Sequence, residues 1–289
     1  MDLSRLHPQA RSALSAQRRV PLTVENLPGV RRSMADAAPE EVGAGPAVRE
    51  VTDVDAGGVR ARFYRDRDDA PVLLYAHGGG WVMGDLATHD GLCRQIVHDS
   101  GWSVLAVDYR LAPEHPYPAA LEDVERALAW LPAGPVAVGG DSAGGWLAVM
   151  AARRATRPIA AQVLICPALD PAMAYPDLDD FGLHRDEMRF FWEAFAPGGL
   201  EAAADPMRMD VTGMPPAIVI TAELDVLRDE GERYAARLQD AEVPVTAVRH
   251  LGVNHNFARK LAIFDAARVA IAEIATVLGS VLRSTTSAP

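Results

Sequence analysis

A chain of 289 residues with 49% hydrophobic content can bury one large core, and a single domain with an accessory cap accounts for that length. Its 28 Lys and Arg stand against 39 Asp and Glu, a formal charge of -11, so the clustered cations that a nucleic-acid partner requires are missing. Two cysteines, Cys93 and Cys166, cannot staple a fold and are expected to be reduced.

The first twenty residues carry Asp2, several arginines and no apolar run of signal-peptide length, and no run of eighteen apolar residues occurs elsewhere. A cytoplasmic protein without a membrane span is the expectation. Leu6, Ala10, Ala13 and Leu14 recur at helical spacing. Residues 1 to about 47 therefore form an N-terminal arm, closed by Gly43, Gly45 and Pro46.

From about residue 48 onward, β-rich runs alternate with helical patterns. Strands are predicted near 48–54, 59–65, 71–76, 103–108, 135–139, 162–166, 217–222 and 245–250, roughly eight in all. Helices are predicted near 88–99, 118–130, 143–154, 230–240 and 257–282. Such alternation implies right-handed crossovers and a mostly parallel sheet flanked by helices, the α/β class. The first two strands, with no helix between them, should pair antiparallel. Between about 170 and 212 the alternation breaks, and Phe181, Met188, Phe190, Phe191, Trp192 and Phe195 crowd one short helical segment. That stretch reads as a lid inserted into a main domain of about 48–289.

The chemistry gathers at strand ends. His77-Gly78-Gly79-Gly80-Trp81 follows the strand Val72 to Ala76, and consecutive glycines let backbone N–H groups approach a substrate oxygen closely. Gly79 and Gly80 are the expected oxyanion donors, with the N–H of Ala143 as a third, and His77 is expected to orient the loop. Gly140-Asp141-Ser142-Ala143-Gly144 sits between a strand and a helical run, which is the context of a nucleophile elbow. A sharp turn there needs small neighbours and holds the serine in a strained conformation.

A serine nucleophile needs a base and an orienting carboxylate, in the chain order Ser, Asp or Glu, His for this architecture. Asp225 follows the strand Ala217 to Ala222, and His255 follows Val245 to His250. The competitors have other expected roles: Asp229 caps a helix starting near Glu230, Glu223 faces away, and His250 is a structural residue at the sheet edge. Trp146, one helical turn past Ser142, is either a core residue or the floor of an acyl pocket. Trp81 is a second candidate for substrate contact.

Four blocks together resemble the hormone-sensitive-lipase-like esterases of the α/β-hydrolase superfamily: His77 to Trp81 (HGGGW), Asp108 to Asp123 (DYRLAPEHPYPAALED), Gly140 to Gly145 (GDSAGG) and Pro215 to Leu238, followed by His255 and Phe257. The resemblance covers about residue 50 to the C-terminus. It implies an α/β-hydrolase fold, a triad of Ser142, Asp225 and His255, and a cap built from the arm and the 170–212 insertion. It also implies hydrolysis of short- to medium-chain esters without metal or cofactor, often by homodimers. This chain departs from the pattern at Trp146, where Asn is usual, at Val226 in place of Pro, and at Asn256 in place of Gly. Two rival readings are an amide hydrolase on the same triad and a receptor that has lost catalysis; the presence of His255 argues against the second.

Overall fold

The computed structural model describes residues 3–16, 20–174 and 181–286. Its centre is an eight-stranded sheet in the order β1-β2-β4-β3-β5-β6-β7-β8. The strands are β1 Glu50–Asp55, β2 Arg60–Arg65, β3 Val72–Ala76, β4 Ser103–Val107, β5 Val136–Asp141, β6 Gln162–Ile165, β7 Ala217–Leu224 and β8 Val245–Asn254. β1 pairs with β2 and β2 with β4 antiparallel, while every pairing from β4 to β8 is parallel. The antiparallel pair expected at the start is present, and the sheet is mostly parallel.

β3, β4, β5 and β6 are buried at every position. Continuous apolar strands of this kind belong in a sheet covered on both faces. The covering helices of the main domain are α3 Asp90–Ser100, α4 Ala119–Trp130, α5 Ala143–Arg154, α7 Arg228–Asp240 and α8 Asp265–Thr286; the arm supplies α1 Pro8–Ala16 and α2 Leu27–Glu41, and the inserted segment supplies α6 Arg185–Phe195. None of the helices among the described residues is long and apolar enough to cross a membrane. Cys93 and Cys166 are free and buried.

Most element ends shift by a residue or two from the sequence expectation, and three of the differences bear on the site. β8 runs to Asn254 rather than ending at 250, because an irregularity opposite Ala222 to Leu224 absorbs extra residues and pairing resumes at Leu224 with Asn254. The expected helix over 257–282 is split: a single 3-10 turn, Phe257–Arg259, precedes α8, which starts only at Asp265. The break begins at Asn256, whose φ of +65° lies in the left-handed region that Asn tolerates and where glycine would be at ease. α7 begins at Arg228, so Asp229 lies in its first turn and pairs with Arg228 instead of capping the helix.

Candidate active site

The turn from β5 into α5 is a single residue, Ser142, at φ +52° and ψ -118°. A non-glycine residue in that region is strained, and its neighbours hold it there. The Ser142 N–H donates to Ile165 O at 2.8 Å, and its carbonyl accepts from Gly145 N–H at 3.0 Å and Ala168 N–H at 2.9 Å. A Cβ on Gly144 would overlap the Ala76 carbonyl, so the elbow is pressed against the end of β3 in a way only glycine permits.

The ends of β7 and β8 bring the other two groups to Ser142. His255 Nε2 stands 3.0 Å from Ser142 Oγ, and His255 Nδ1 stands 2.7 Å from Asp225 Oδ2. Asp225 Oδ1 accepts the Leu227 N–H at 3.0 Å, which aims the carboxylate. A carboxylate on Nδ1 fixes the tautomer in which Nε2 is free to take a hydroxyl proton. All three side chains are buried.

The residues weighed against them point elsewhere. Glu223 turns away to bind Arg5 Nη2 and the Gly252 N–H, each at 2.8 Å. His250 Nε2 meets Glu273 Oε2 at 2.9 Å while its ring packs against Phe257 at 5.0 Å.

Cys166 takes a place beside Asp225 and His255 that the sequence did not signal. It follows β6 at φ +43°, and its sulfur, a ring nitrogen of His255 and a carboxylate oxygen of Asp225 lie within 4.8 Å of one another. These are metal-ligand types, yet burial, helped by the Asp225 carboxylate, pushes the Cys166 thiol well above its usual pKa. The thiol therefore keeps its proton, and the contact between His255 Nδ1 and Asp225 Oδ2 serves as a hydrogen bond.

Gly79 at φ +119° and Gly80 at φ +61° form the loop after β3. The Gly79 carbonyl is used up within its own turn, accepting from Val82 N–H at 3.1 Å and Met83 N–H at 3.0 Å. A Cβ on Gly80 would collide with the Phe191 ring of α6, so the inserted segment lies directly on this loop. Ala143 is the first residue of α5, where a backbone N–H has no partner one turn back. Gly79, Gly80, Ser142 and His255 line one cavity of about 600 Å³. Leu14, Leu22 and Met34 of the arm and Phe191 of α6 close its far side.

Trp81, a candidate for substrate contact, and Trp146, read as either core or pocket floor, are fully buried and do not line that cavity. Trp81 at φ +60° turns its side chain beneath the loop, where it stacks on Phe195 at 4.4 Å and meets Trp192 at 4.4 Å. Trp146 packs edge-on against Trp81, Tyr117 and Phe195 at 6.4, 5.9 and 5.2 Å. The core alternative for Trp146 is the one that matches this placement. Trp146→Ala should cost about 3 to 5 kcal/mol, read from denaturant unfolding. It should leave the relative rates on acetyl, butyryl and octanoyl esters unchanged, and a shift toward octanoyl in the folded variant would return Trp146 to the pocket wall.

The arm is fastened across the same end of the sheet. Arg5 pairs with Glu223, His7 N–H donates to Gly252 O at 2.8 Å, and Gln9 Nε2 donates to Asp265 at 3.1 Å. Glu41 at the end of α2 binds both Arg259 and Lys260 at 2.7 Å. These ties hold the arm over the loop that carries His255.

The sequence profile of a family described by the α/β-hydrolase fold matches residues 73–259. The chain is 38% identical to the esterase LipI of Mycobacterium tuberculosis, covering 76% of this chain and 78% of that one. It is 35% identical to the ethyl acetate hydrolase of Pseudomonas putida, covering 75% and 77% of the two. The esterase of Pyrobaculum calidifontis superposes with a TM-score of 0.87 at 37% identity, over 95% of this chain and 98% of that one. A serine held at a strained strand-to-helix turn, a sheet of this order and these relatives agree, and the chain belongs to the α/β-hydrolase family, in its hormone-sensitive-lipase-like branch.

Proposed function

We propose that the protein is a serine carboxylesterase that cleaves short- to medium-chain acyl esters through an acyl-enzyme on Ser142. The observation that carries this reading is the continuous hydrogen-bonded series Ser142, His255, Asp225 opening into the cavity that Gly79 and Gly80 also line. Relatives named esterase, carboxylic ester hydrolase and ethyl acetate hydrolase support the choice of ester.

His255 Nε2 takes the Ser142 proton as Oγ attacks the ester carbonyl, and Asp225 stabilises the imidazolium that forms. The N–H groups of Gly79, Gly80 and Ala143 receive the developing oxyanion. His255 then protonates the leaving alcohol, and a water deprotonated by the same ring releases the acid. The reaction calls on no metal and no organic cofactor. The arm and the 170–212 insertion act together as a cap, since both contribute wall to the cavity over Ser142.

A panel of p-nitrophenyl esters and matched aryl amides tests the reading. Turnover of acetyl and butyryl esters with little amide cleavage is expected, and preference for the amides would make the enzyme an amidase on the same triad. We further place the enzyme in the cytoplasm, as a homodimer joined through β8, whose outer edge has no partner strand among the described residues. Light scattering at micromolar concentration should give twice the chain mass, and a monomer would remove the dimer.

A further inference from the structure

The chemistry above leaves a buried carboxylate, Asp141, without a role. It ends β5, one residue before Ser142, and is 4% exposed. Asp141 Oδ1 accepts from Tyr75 Oη at 2.8 Å and from the Gly78 N–H at 2.9 Å, while Oδ2 faces His89 Nε2 at 3.3 Å. His89 is seated in turn by Thr88 Oγ1, 3.0 Å from its Nδ1. Burial opposes ionisation of Asp141, but the attraction of His89 and the hydrogen bonds from His89 and Tyr75 outweigh it and hold the carboxyl well below the usual range. An anion therefore sits directly beneath the glycine loop.

Gly78 is held at its carbonyl as well. His77 Nδ1 donates to Gly78 O at 2.8 Å, and burial together with the neighbouring His89 pushes the His77 pKa down to about 4, so the ring is neutral with its proton on Nδ1. The His77 ring is stacked on Tyr109 at 4.2 Å, and Tyr109 Oη donates to the His77 carbonyl at 2.7 Å. Gly79, the next residue, inherits whatever position this clamp sets.

We propose that Asp141, backed by His89, is the positioning residue of the oxyanion loop: through its chain neighbour Ser142 and its hydrogen bond to Gly78, one carboxylate fixes the separation between the nucleophile and the donors on Gly79 and Gly80. The inference rests on the reading of Ser142 as nucleophile. The physical demand is strict, because donors stabilise an oxyanion only within about 2.7 to 3.1 Å of where it forms, and loss of one donor costs on the order of 10² to 10³ in rate. A purely structural ion pair would change the melting temperature and leave the rate per folded molecule alone.

Asp141→Asn keeps the size and removes the charge. Two readouts are compared on the folded protein: the second-order rate of Ser142 labelling by a fluorophosphonate, and kcat and KM on p-nitrophenyl acetate. Labelling and kcat should both fall about 10- to 100-fold with KM within about twofold. His89→Gln, which leaves the Gly78 bond in place, should show the same signature at roughly tenfold or less. A folded Asp141→Asn that labels at the wild-type rate, or that raises KM at wild-type kcat, overturns the proposal. Should that variant not fold, wild-type rates in His89→Gln overturn it equally. If the wild type labels yet hydrolyses no ester, the ester reading fails, and the labelling comparison still decides the role of Asp141.

Discussion

Ser142→Ala should lose on the order of 10⁶ in kcat, about 8 kcal/mol of barrier, with fluorophosphonate labelling abolished. The size follows from the triad acting as one unit: without Oγ there is nothing for His255 to deprotonate and no acyl-enzyme to form, so the remaining rate comes from binding and the oxyanion donors alone. Substrate affinity should survive, because the cavity wall is built from the arm, the glycine loop and α6 rather than from the hydroxyl. The strain stored at φ +52° stays in the variant, since alanine has a Cβ as serine does, and stability should change little. Labelling at the wild-type rate in the purified variant would show that another residue is the nucleophile.

His255→Ala should fall by a similar order, while His250→Ala, five positions away, should keep turnover within a few-fold of wild type. The two rings, one inside β8 and one just past its end, have different partners. His255 bridges Ser142 and Asp225, whereas His250 bonds Glu273 on α8 and packs on Phe257. Removing His250 should therefore cost about 1 to 2 kcal/mol of stability, the scale of one lost hydrogen bond and some packing, with little change in kcat. Steady-state kinetics beside denaturant melts separate the two effects, and the opposite pattern would exchange the roles of the histidines.

The order of strands and helices was legible because the core strands are short apolar runs set between helical patterns, each bounded by glycine or proline. Ser142, Asp225 and His255 were legible for a related reason: each stands just past a strand, although the ends of β7 and β8 lie two and four residues beyond where the pattern put them. What escaped was whatever depends on the third dimension. The two extra residues that β8 takes up on its way to Asn254 arise from an irregularity against β7, which neither strand encodes alone. Trp146 shares a helix face with Ser142, but only the packing of Trp81 and Phe195 around it determines that this face is core there. Asp141 filled a variable place in a recognised pentapeptide, and its partners Gly78 and His89 lie 63 and 52 residues away, beyond any periodicity. Phe191 could be counted among the lid aromatics, but its seat on Gly80 could not.

The ties that fasten the arm also set an order in time. Arg5 and Glu223, like Glu41 and Arg259, are 218 residues apart, and Gln9 reaches 256 residues to Asp265. On the ribosome the arm is made well before these anchors, so α1 waits beside a growing sheet, while α2 has its Arg31 bonds to Val82, Ala112 and Glu114 to dock on. Closing contacts of such sequence separation is slow, because the chain must give up its freedom before those contacts return anything. The wall over Ser142 is thus completed only after the chain has reached Asp265, and a nascent chain that has not yet released that residue carries an open, half-walled cleft.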